Sequence, residues 1–68
     1  MELSILKSMS RDEAHKALME SDHETILKIN ERMQLTFYGC HTHEQHVNRI
    51  LWALHESPPT LRQIYLNR

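Results

Sequence analysis

Within "YGCHTHEQH", residues 38–46, one cysteine and three histidines fall between Cys40 and His46. Thiolate and imidazole are the ligands zinc prefers, and a structural zinc site takes four of them in a tetrahedron. With Thr42 as a helix N-cap, His43 and His46 stand one turn apart and could face one ion, with Cys40 reaching it from the preceding loop. The spacing Cys-x2-His-x2-His is too compact for the usual two pairs of ligands. A fourth ligand would have to come from His23 or His55, through folding. On a helical wheel anchored at Val47, His43 falls near the apolar stripe and His46 at its edge. That placement predicts two half-buried rings, with Cys40 behaving as a small apolar residue. The expectation is no metal and no cofactor, with Cys40, His43 and His46 as the nearest approach to a ligand set.

The same residues are poor material for catalysis. Cys40 near histidines suggests a nucleophile, but no third group is identifiable to orient a base. Gly39 is the only glycine, so there is no glycine-rich phosphate loop. A chain of 68 residues also has little room for a pocket of about 300 Å3 or more. Glu24, Glu31 and Glu44 are expected on solvated helix faces, and an enzyme is not expected.

The elements that must position these groups are read from caps and periodicity. A hydroxyl followed three residues later by Glu or Gln marks a capping box. Ser10 with Glu13, Ser21 with Glu24 and Thr42 with Gln45 fit that pattern. The first box opens a helix near 11–20 with Ala14, Ala17 and Leu18 on its apolar face. The second opens 22–35 with Ile26, Ile29 and Met33 at helical spacing, Leu27 at the flank and Asn30 at the rim. Gly39, after Phe37 and Tyr38, suits a left-handed C-cap. The third helix, 43–56, puts Val47, Ile50, Leu51 and Leu54 on one stripe and stops at Ser57-Pro58-Pro59. A last short helix, capped by Ser57 or by Thr60 with Gln63, would turn Leu61, Ile64 and Tyr65 inward. Residues 1–9 add a leading turn through Leu3, Leu6 and Met9. No segment alternates as a strand does, so the fold class is all-α: a single domain, 1–68, of three to four short helices.

Chains this short bury only about 60% of their unfolded surface, and such folds usually gain support from disulfides, metals or partners. One cysteine excludes an internal disulfide and fits a reducing compartment. Dimerisation, with the Ala14 and Ala17 face as a contact, is therefore expected to complete the bundle. The longest apolar run, "ILWAL", falls far short of the ~18 residues that span a bilayer. The first residues hold no signal-peptide pattern, so a cytoplasmic location without membrane contact is expected. Net charge is −1 with neutral histidines, and protonating all six would carry it to +5. That balance is far from the basic stripe of most nucleic-acid binders.

Residues 48–68, "NRILWALHESPPTLRQIYLNR", resemble a helix-turn-helix of the bacterial regulator kind, best at Ser57 to Gln63. The resemblance implies a recognition helix carrying Thr60, Arg62 and Gln63 toward the major groove. Arg49 and Arg68 would meet phosphates. Arg and Gln suit guanine and adenine edges respectively. The pattern departs from such motifs at His55, where glycine is favoured, at Glu56, where an apolar residue is, and at Leu51, where a small one is.

Trp52 is the residue that core packing explains least. It lies about 140° from Val47 on the third helix, at ~100° per residue, among Gln45, Asn48, Arg49 and His55. Either another element covers it, or Trp52 with Arg49, Asn48 and His55 forms a binding hot spot. The leading expectation is a small regulator or inhibitor that binds a protein partner, of the compact accessory type found in bacteria and their phages. The alternative is a DNA-binding regulator using residues 46–68.

Overall fold

The computed structural model describes residues 3–35 and 41–67. Phe37 to Cys40 and Arg68, and with them the expected Gly39 cap, the Cys40 ligand and the Arg68 phosphate contact, lie outside the described residues. The chain is all-α: α1 (Leu3–Ser8), α2 (Arg11–Glu20), α3 (His23–Arg32), α4 (His43–Leu51), a π-helical continuation (Trp52–Glu56) and α5 (Pro59–Leu66). Among the described residues no helix is long and apolar enough to cross a membrane.

α4 is the hub. It packs against both α2 and α3 and runs into the π segment, on which α5 rests. Its stripe of Val47, Ile50 and Leu51 is buried, and Ala53 and Leu54 extend it through the π segment. Leu3 and Leu6 of α1, Ala14 and Leu18 of α2, Ile26 and Ile29 of α3, and Met33 just after it close around that stripe. Ala14 is fully buried in the chain's own core, while Ala17 on the same face is half-buried.

The helix starts follow local chemistry, with one shift. Thr42 and Gln45 form the full reciprocal box: Gln45 N donates to Thr42 Oγ1 at 3.1 Å, and Thr42 N to Gln45 Oε1 at 3.1 Å. Ser10 Oγ accepts from Glu13 N at 3.3 Å. For α3 the cap is Asp22, not Ser21: Thr25 N donates to the Asp22 carboxylate at 3.3 Å. Ser21 instead closes α2, its hydroxyl donating to the Ala17 carbonyl at 2.9 Å. A carboxylate outcompetes a neighbouring hydroxyl at a helix N-terminus because it also answers the positive end of the dipole.

The helix ends differ more from expectation. α3 stops at Arg32 rather than near 35, in a Schellman motif in which Leu35 N donates to Asn30 O at 3.0 Å and Gln34 N to Glu31 O at 3.0 Å. Gln34 holds the left-handed position, φ 59°. Asn30, expected at the rim, is fully buried. Its Nδ2 donates to the Ile26 carbonyl at 3.1 Å, while its Oδ1 is buried without a partner.

The third helix reaches Glu56 as expected, but its last turn is widened. Ser57 N donates five residues back to Trp52 O at 2.6 Å, and Ser57 Oγ donates to Ala53 O at 2.8 Å. Ser57 therefore finishes one helix and does not cap the next. α5 begins after Pro58 with no side-chain cap, because Pro59 in its first turn has no N–H to satisfy. α5 is also turned from the expected orientation. Leu61 is 39% and Ile64 44% exposed, while Tyr65 and Leu66 pack on the core.

Candidate functional site

Two places gather the residues that the sequence singles out. The first is the outer face of α4 and the π segment. Asn48 is exposed and Arg49 half-buried. The Arg49 guanidinium sits 4.6 Å from the centre of the Trp52 ring, a cation–π contact. Trp52 is half-buried and packs on the core from outside. Tyr65 of α5 meets it edge-on, with ring centroids 6.2 Å apart. Trp52 is thus partly covered by the last helix and partly open beside Arg49. His55 is half-buried, and its Nε2 is buried without a partner.

α5 extends this face. Leu61, Ile64 and Tyr65 stand at i, i+3 and i+4, the spacing of one helical stripe. Tyr65 anchors the stripe to Trp52, and the other two residues remain in solvent. Arg49 of α4, Trp52 of the π segment, and Tyr65, Leu61 and Ile64 of α5 therefore form a cation–aromatic–aliphatic strip across three elements. The sequence holds the signal for this strip in its 61/64/65 periodicity. It does not say which way that periodicity faces.

Of the residues suited to DNA, Thr60 and Gln63 are exposed. Arg62 is not free to enter a groove: its Nη2 donates to the Ser57 carbonyl at 2.7 Å, and its Nε is buried. It ties α5 to the end of the π segment.

The second place is a histidine cluster. The N-cap at Thr42 puts His43 at the first position of α4 and His46 one turn on. The N-cap at Asp22 puts His23 at the first position of α3. Because α3 packs on α4, these helix starts meet, and His23 Nδ1 lies 3.2 Å from His43 Nδ1. His23 and His46 stand edge to face with centroids 5.2 Å apart. The Nε2 of His43 lies 3.2 Å from the Leu18 carbonyl in the last turns of α2. A carbonyl only accepts, so Nε2 of His43 carries a proton, and one of the two facing Nδ1 atoms donates to the other. His46 is 5% exposed. Burial first, then the neighbouring rings of His23, His43 and His41, hold its pKa below the usual histidine value.

The fold therefore brings His23 to His43 and His46, while Cys40 lies outside the described residues. Among the described residues no group of three or more His, Cys, Asp or Glu side chains is placed to hold a metal ion. What the geometry does provide is a pair of imidazoles in Nδ1-to-Nδ1 contact beside a buried third. No family model, curated protein or solved structure matches the chain.

Proposed function

We propose that this protein acts by binding another protein through the strip formed by Arg49, Trp52, Tyr65, Leu61 and Ile64, as a small regulator or inhibitor would. The observation that carries the reading is the orientation of α5. A short helix that needs burial to persist leaves two large aliphatic side chains in solvent. Tyr65, on the same helical stripe, meets a tryptophan already held by a stacked arginine, and aromatic and arginine residues with aliphatic surroundings are the composition of interface centres. Asn48 borders the strip as a polar rim. His55, with a buried and unpartnered nitrogen, serves the fold more than the surface.

The DNA reading draws less support. Arg62 is spent on the Ser57 carbonyl, Leu61 and Ile64 occupy the exposed face of the would-be recognition helix, and net charge is −1. Phosphate neutralisation supplies most of the affinity of DNA binders.

The test uses the tagged chain as bait in a host lysate treated with nuclease, washed at low and high salt. A protein retained through both treatments, and lost when Leu61→Asp and Ile64→Asp are introduced without change in the melt, fits the proposal. A captured species that disappears with nuclease or salt while the double variant still binds it would replace the proposal with the nucleic-acid reading.

A further inference from the structure

The histidine cluster is independent of the binding strip, and it sits where three helices are joined. His23 begins α3, His43 begins α4, and the Leu18 carbonyl lies near the end of α2. The Nδ1-to-Nδ1 contact of His23 and His43 is a hydrogen bond only while one of the two nitrogens keeps a lone pair. Nε2–H of His43 is committed to Leu18, so a second proton on His43 must go to Nδ1. With His23 protonated as well, two Nδ1–H groups would face each other across 3.2 Å, two donors with no acceptor between them.

The surroundings oppose positive charge as well. Helix N-termini carry a partial positive charge from their unsatisfied N–H groups, and an imidazolium at such a position is disfavoured. The titratable groups acting on His46 are His23 from α3, His43 from its own helix and His41 from the segment just before it. α2 contributes the neutral Leu18 carbonyl. Of the carboxylates beside His23, Asp22 bonds the backbone and hydroxyl of Thr25, and Glu24 pairs with Lys28 at 3.6 Å.

We infer that His23, His43 and His46 form an acid-sensitive latch: neutral, it ties the start of α4 to α2 and α3, and protonated, it releases that end of α4. The direction of the effect follows from His46. Its folded-state pKa lies below the unfolded value of 6.5, so the unfolded chain binds more protons in the interval between them. Stability is complete above the unfolded value and is lost as pH falls through that interval. α4 also carries Asn48 and Arg49 and runs into the π segment that begins at Trp52, so release at its start would reach the outer face of the same rod.

Urea unfolding at about pH 8 and about pH 5.5, a range in which histidines titrate and ordinary carboxylates do not, tests this on the full chain. The wild-type folding constant should fall severalfold across it, in the direction set by the lowered His46 pKa. His43→Gln, which keeps a donor for Leu18 but cannot be protonated, should lose roughly half of that dependence or more, and His15→Gln none. Ring signals followed by NMR add a readout that needs no variant. The His46 ring should protonate at lower pH than histidine in a peptide, and the Leu18 and His46 amide signals should move with the same midpoint. Equal stability at both pH values would overturn the inference. So would a His46 that titrates like a free histidine while His43→Gln keeps the full pH dependence.

Discussion

Trp52 and Asn30 show how a single side chain is decided by what lies across from it. Trp52 shares its ring between Tyr65, Arg49 and the core, and it is half-buried. Full aromatic-to-alanine truncations in cores cost ~3–5 kcal/mol. Trp52→Ala should therefore cost about 2 kcal/mol, read from the urea midpoint at unchanged slope. Asn30 behaves in the opposite sense. Its Nδ2 bonds a carbonyl inside its own helix, while its Oδ1 is buried with nothing to accept from. An unsatisfied buried acceptor costs about 1–3 kcal/mol, so Asn30→Leu, of similar branching, should raise stability by roughly 1 kcal/mol. A loss of stability in that variant would show that the amide has a structural partner.

At the scale of the element, the end of α3 offers the sharpest forecast. Gln34 sits at φ 59° in the position that a Schellman motif normally gives to glycine. Gln34→Gly removes the steric cost of that conformation, and should stabilise the chain by about 1 kcal/mol in the same urea assay. The elements themselves were legible from the sequence wherever their determinants are local. Thr42 and Gln45 cap each other within four residues, and the α4 stripe repeats without interruption. Ser21-Asp22-His23-Glu24-Thr25 offers two overlapping caps, and only their competition selects Asp22. The π turn was not legible, since it depends on where Ser57 finds its acceptors. Nor was the facing of α5, which the contact between Tyr65 and Trp52 sets across 13 positions of sequence. The meeting of His23 with His43 spans 20 residues and needed the packing of α3 on α4.

For the whole molecule, two expectations concern what the chain needs besides itself. With no three-ligand group among the described residues, a chelator should leave the circular dichroism melt unchanged, and a fall restored by zinc would reverse this reading. Of the face expected to pair two copies, Ala14 is buried in the core and Ala17 is half-buried. Among the described residues the exposed large apolar groups are Ile5, Met19, Leu61 and Ile64. If copies pair through them, the melt should rise with protein concentration, and Leu61→Asp with Ile64→Asp should abolish that rise. Light scattering that gives a monomer mass at high micromolar concentration would remove the dimer.

Lys7 and Leu66 lie 59 positions apart, yet the Lys7 ammonium donates to the Leu66 carbonyl. α1 has six residues and α5 eight, both too short to persist as isolated helices in water. Each therefore borrows order from the other and from the core between them. In amide hydrogen exchange the two should not fray separately. Backbone amides of α1 and of the last turn of α5 should exchange through one shared opening, with nearly equal free energies, below that of α4. Lys7→Met should lower the protection of Asn67 as much as that of Ser8, although Asn67 is almost the whole chain away from the substituted residue. The first and last helices would then form one cooperative unit assembled from opposite ends of the sequence.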